Sequence, residues 1–121
     1  MKLSKKHIDY FKSRVDYYIK KLEINDYQVK VVTKEKDSKY EGAMTETEFW
    51  NGFATITLMT DYDDHYIIGN IMKDLDNTAR HECLHVMLGK YESLARCRYL
   101  LKDEFDNENE YITRKLTRLL K

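Results

Sequence analysis

Two histidines four residues apart, His81 and His85, with Glu82 directly after the first, form the segment best suited to chemistry in this 121-residue chain. The segment reads as helix, where about 100° per residue leaves the two imidazoles ~40° apart around the axis and one turn apart along it. Both can then grip one divalent metal ion. Glu82 falls ~60° round from His85, near enough to reach a water on that metal. Neutral imidazoles are good zinc ligands, and a carboxylate one step away can move a proton. Ala79, Cys83 and Met87 point away from the histidines, and Leu84 and Leu88 cover a flank, so this helix is expected to be buried nearly all round.

A metal of this kind needs further donors. Leu94, Cys97, Leu101, Phe105, Glu108, Ile112, Leu116 and Leu119 step by threes and fours, as one stripe along a helix or along two helices broken near residues 103–107. Glu108 is the charged member. A carboxylate in an apolar seam is costly unless a cation or several donors meet it, which makes Glu108 the expected third ligand. Glu110 is the competitor, but it lies about 200° away, on the side of Arg114 and Thr117. Glu108 in an exposed first turn, favoured there by the helix dipole, is the other reading. His65, Tyr62, Tyr66, Tyr91 and Tyr111 are candidates to stabilise an oxyanion, and His65 could instead be a ligand. His7 belongs to the surface of the first helix. Asp61, Asp63 and Asp64 fail the calcium-loop pattern, because Tyr66 stands where glycine is needed, and read as a solvated turn.

The elements that must position these groups follow from periodicity. Ser4 caps a helix over residues 5–22, whose apolar stripe is Ile8, Phe11, Val15, Tyr18, Ile19 and Leu22. Tyr27 to Thr33 has the β-branched content of a strand, and a second strand is expected between Tyr40 and Trp50. Asn51-Gly52 signals a tight two-residue hairpin turn into a third strand, Phe53 to Met59. Asp74 or Asp76 is expected to cap the histidine helix and Gly89 to end it. The fold class is α+β: an N-terminal helix, a small three-stranded twisted sheet, the histidine helix, and a C-terminal helix or helix pair.

Composition sets limits on partners. Residues 1–121 suit one domain. Twenty-one basic and twenty-one acidic residues cancel, so no nucleic-acid partner is expected. No apolar run approaches the ~20 residues of a membrane span, and the start lacks a secretory signal, which points to a cytoplasmic protein. Cys83 and Cys97 are isolated thiols, in keeping with a reducing compartment, and form no cysteine zinc ribbon.

Over Thr78 to Met87 the chain resembles the zincin group of zinc peptidases. The neighbours of the histidines are uncharged, Arg80 apart, and the segment ends apolar at Val86 and Met87. With a glutamate on a later helix the pattern is gluzincin-like, similar to minimal metallopeptidase-like domains of bacteria and their phages. Leu88 and Tyr91 replace the glycine and histidine that a metzincin requires. The resemblance implies a zincin-like domain with Zn2+ on His81, His85 and Glu108, and Glu82 as general base. It also implies an extended peptide or protein substrate paired along an edge strand such as Phe53 to Met59. From a different class, a catalytically silent zincin-fold binding or regulatory protein, phage-encoded or not, would use the metal structurally.

Overall fold

The computed structural model describes residues 1–35, 42–61, 70–96 and 102–120. They form an α+β arrangement of three helices and a three-stranded mixed sheet: α1 (Lys5–Lys21), β1 (Gln28–Lys34), β2 (Ala43–Glu48), β3 (Phe53–Met59), α2 (Ile71–Ala95) and α3 (Lys102–Leu119). No helix among the described residues is long and apolar enough to cross a membrane.

Helix α1 starts where Ser4 was expected to start it. The Ser4 hydroxyl accepts from the His7 amide at 3.3 Å, and the His7 ring returns the favour by accepting from the Ser4 amide through Nδ1 at 3.2 Å. His7 thus takes the place a glutamate usually holds in a capping box. Phe11, Val15 and Tyr18 are buried on the inner side, and Ile8, Ile19 and Leu22 pack beside them. Across the helix pair, the Asp76 carboxylate accepts from the Arg14 guanidinium and from the Tyr18 hydroxyl at 3.0 Å. Asp76 therefore ties α2 to α1 instead of capping α2. The cap is Asn70, whose side chain accepts from the Lys73 amide at 3.0 Å. Asparagine is among the best caps because its short side chain reaches the orphan amides of the first turn.

The sheet order is β1-β3-β2, with β1 parallel and β2 antiparallel to β3. Phe53–Met59 is consequently the central strand, and the expectation that it offers a free edge is corrected: both its sides are consumed by main-chain pairing. The edges belong to β1 and β2. Register assigns the faces. Ala54, Ile56 and Leu58 of β3 turn inward and are buried; level with them stand Val29, Val31 and Thr33 of β1 and Thr47, Thr45 and Ala43 of β2. Glu46 and Glu48 of β2 lie on the outer face with Thr55 and Phe53. The β2–β3 connection is four residues long, two more than expected, because pairing stops at Glu48 and Phe53. Gly52, at φ 73°, closes it, and its amide donates to the Glu48 carbonyl at 3.0 Å. Asn51 does not share the positive φ that the tight turn would demand.

Helix α2 runs on past Gly89 to Ala95. The glycine serves packing. A Cβ there would stand 2.6 Å from the Thr47 Oγ1 and 2.7 Å from its Cγ2, so the absent side chain is what lets α2 approach β2 this closely. The rest of α2 is less enclosed than its composition suggests. Leu75, Ala79, Cys83 and Val86 are fully buried, whereas Lys73, Asn77, Arg80 and His81 are exposed along one stripe. The helix faces α1 and the sheet on one side only, which leaves that stripe to solvent. Cys83 packs against α1 with Sγ 3.7 Å from the Val15 carbonyl, and burial pushes its thiol up to about 12. Helix α3 passes unbroken through residues 103–107, so of the two readings left open for this stretch a break at that point is not the one found. Its inward residues are Glu108, Ile112 and Lys115.

The Gly89 contact makes a direct prediction. Gly89→Ala gains about 1 kcal/mol of helix propensity, yet the clash with Thr47 should leave the protein less stable by ~1–3 kcal/mol. Urea unfolding of Gly89→Ala, Thr47→Ala and the double variant checks it, with Thr47→Ala recovering most of the loss. A second prediction concerns alkaline pH. Burial, reinforced by Asp26 and Glu108, raises the Tyr27 hydroxyl from 10.0 to about 12. The folded state then holds this proton more tightly than the unfolded chain does. Its contribution is fully present below pH ~10 and is lost as pH rises towards ~12. Tyr27→Phe should accordingly flatten the fall in urea midpoint between pH 9.5 and 11.5.

Candidate metal centre

The side of α2 that carries the histidines is set by the sheet contact. Glu82 and Gly89 lie within about 20° of each other around the axis, and both meet β2: Gly89 against Thr47, and Glu82 through a short hydrogen bond from the Thr45 hydroxyl to Oε2. His81 and His85 fall ~100° and ~60° round from Glu82. They emerge beside β2, the edge strand, and leave the sheet's centre to the apolar face of the helix.

The two imidazoles converge. His81 Nε2 and His85 Nε2 are 3.2 Å apart, with the rings edge to face at 79° and centroids 4.8 Å apart. The contact is that of an N–H···N hydrogen bond between the rings, and it also matches the ~3.3 Å that separates two nitrogens bound at about 2.05 Å to one tetrahedral zinc. A third residue fixes the chemistry of the pair. Glu92, two turns after His85, has Oε1 3.2 Å from His85 Nδ1. An ionised carboxylate only accepts, so Nδ1 carries the proton and donates, and Nε2 is left with its lone pair facing His81. Metal-ligating histidines usually donate their other ring N–H to an acceptor of this kind. The side chains of His85 and Glu92 are 44% and 38% exposed, open enough for a substrate or a solvent ion to enter.

Glu82 is enclosed. It is 5% exposed, and its carboxylate is held by Thr45 from the inner face of β2. The order of residues on β2 explains the contact: Ala43, Thr45 and Thr47 are all small, which admits the helix, and Thr45 adds a hydroxyl where the carboxylate arrives.

Glu108 is buried, as the seam requires, but it does not join the histidines. Its Oε2 lies 3.6 Å from Lys90 Nζ. Lys90 is about 180° round α2 from His81 and ~140° from His85, so the carboxylate meets its cation on the far side of the helix. Among the described residues no group of three His, Cys, Asp or Glu side chains is placed to hold a metal ion. The trio His81, His85 and Glu108 is therefore not assembled, because an internal lysine already answers the buried charge. Glu110 is exposed and paired with Arg114 at 2.9 Å, as its side of the helix suggested. Tyr91 packs on Phe105, with centroids 5.1 Å apart, and Tyr111 lines a cavity between α2 and α3. Neither belongs to the histidine pair. His65, Tyr62 and Tyr66, with Asp63 and Asp64, lie outside the described residues, as does Cys97.

Sequence reasoning missed Glu92 and Thr45. For Glu92 a signal existed: eleven residues after His81 and seven after His85, it falls ~20° from each around the axis. For Thr45 no signal existed, since its role depends on which strand lies at the edge. The expected outcome for zinc affinity, measured by chelator competition, is a 10- to 100-fold loss in Glu92→Ala and less than a twofold change in Glu108→Gln. No family model, characterised protein or solved structure matches this chain.

Proposed function

We propose that this protein hydrolyses peptide bonds with a zinc ion held by His81 and His85 and with Glu82 as general base. The single observation that supports the reading most is the 3.2 Å approach of the two Nε2 atoms, with the His85 tautomer set by Glu92. When bound, zinc supplies a Lewis acid and lowers the pKa of water in its open position toward ~7.

The chain's own residues supply the rest. Glu82 accepts a proton from the attacking water and returns it to the departing amine. Thr45 donates to the same carboxylate and so holds it in one orientation. Substrate binding is assigned to β2 in place of β3, because β2 has a free edge among the described residues and borders the histidines. An extended peptide could add there through main-chain hydrogen bonds, with the outward Glu46 and Glu48 contributing to side-chain preference.

One observation favours a second reading, a catalytically silent binding or regulatory domain with a structural metal. Glu82 is buried and already hydrogen-bonded, as a carboxylate with a purely structural role would be. The two readings separate on one experiment. With a fluorogenic peptide library, Glu82→Gln should retain zinc and lose at least 100-fold in cleavage rate, while His81→Ala and His85→Ala lose the metal. Zinc-loaded wild type that cleaves nothing, with Glu82→Gln altering stability alone, would establish the silent domain.

A further inference from the structure

Away from the histidine pair, a cavity of about 740 Å³ lies between the C-terminal half of α2 and the start of α3, bordered by the turns before β1 and after β2. Its volume lies within the ~300–1,000 Å³ range of ligand pockets. Three carboxylates face it, Asp26, Glu104 and Glu108, against one ammonium, Lys90. Lys115, buried behind the wall, acts on Asp26 and Glu108 as a second ammonium, and the balance is still negative by one charge. Glu108 matters most, because its side chain is only 9% exposed and yet lines the cavity. Two lysines attend it among the described residues: Lys90, with Nζ at 3.6 Å, too long for a hydrogen bond, and the buried Lys115 two turns along the same face of α3, whose ammonium feels the Glu108 charge. A carboxylate so enclosed has acceptor capacity to fill. The remaining walls are the rings of Phe49 and Tyr111, the side chain of Leu94 and one amide, Asn107.

We propose that this cavity is a recognition site for a guanidinium or ammonium group carried on an alkyl stem, with Glu108 as the buried anchor, Asp26 and Glu104 at the mouth, and the aromatic walls covering the stem. A planar guanidinium pairs with a carboxylate through two parallel hydrogen bonds and stacks on aromatic faces, so arginine is the better fit of the two. Lys90 is the built-in competitor: it occupies Glu108 from the rim, where its own side chain is 47% exposed and free to withdraw. The site stands apart from the histidine pair, across α2 from it, and does not depend on the hydrolytic reading.

The chain has one tryptophan, Trp50, 70% exposed, with its ring 5.5 Å from that of Phe49. Its fluorescence, together with NMR shifts, can report on occupancy. The probes are acetyl-Gly-Gly-Arg-Gly-Gly-amide, the same peptide with citrulline or glutamate in place of arginine, and agmatine. The expected result is saturable binding of the arginine peptide and at least tenfold weaker binding of the citrulline and glutamate peptides. Agmatine matching the peptide would identify a free amine as the source, whereas a peptide at least tenfold tighter would identify a polypeptide; both preserve the cation chemistry. Glu108→Gln should weaken binding at least tenfold. Lys90→Gln should tighten it severalfold, a change of sign that a merely structural lysine would not give. Asp26→Asn and Glu104→Gln, both at exposed positions, should weaken it severalfold and keep the test valid if the Glu108 variant does not fold. His81→Ala should leave binding unchanged, which separates this site from the zinc reading. Equal affinity for citrulline and arginine, or weaker binding by Lys90→Gln, would overturn the assignment.

Discussion

The arrangement depends on how closely α2 can lie against β2. Gly89 removes the side chain that would strike Thr47, and the small inner face of β2, Ala43, Thr45 and Thr47, accepts the helix along its length. Everything near the histidines inherits its position from that contact. Glu82 is brought under β2 to the Thr45 hydroxyl, and the imidazoles lie one step round the helix, on the side away from its apolar face. A helix held ~1.5 Å further out would lose the Thr45 contact, since a side-chain approach beyond about 3.5 Å is no longer a hydrogen bond.

Helix α2 therefore has two chemistries on opposite sides. On one, two rings share a nitrogen spacing suited to a single ion, with Glu92 supporting the second ring. On the other, Lys90 reaches the enclosed Glu108 of α3. The separation follows from the 100° step of the helix: residues nine apart face opposite ways, and the chain has charged or polar side chains at both phases. α1 closes the third side through Phe11, Val15 and Tyr18 and through the Arg14–Asp76 and Tyr18–Asp76 bonds.

Much of the fold was legible from periodicity. Helix α1 and its Ser4 cap, and the bounds of β3, follow from residues whose local preference and packing agree. The order of strands was not legible, because alternation says which residues share a face and nothing about which strand is the middle one. The role of Gly89 failed for a related reason: a glycine late in a helix signals an end locally, and only the neighbouring strand reveals it as a point of close approach. Glu108 is instructive in another way. The seam correctly marks it as a buried charge in need of a cation, but cannot say which cation. Lys115, buried at 3% on the same face of α3, is absent from the apolar stripe, although its spacing from Glu108 and Ile112 fits it.

The outward pair Glu46 and Glu48 has a bearing on self-association. An unprotected sheet border invites another copy of the same chain, and β1 meets that hazard with Lys30 and Lys34 along its length. On β2 the guard is acidic. Two copies meeting border to border would bring four glutamates into register, a repulsion absent when the incoming strand is neutral or basic. Under the proposed peptide docking, β2 would admit a neutral or basic strand while discouraging its own twin.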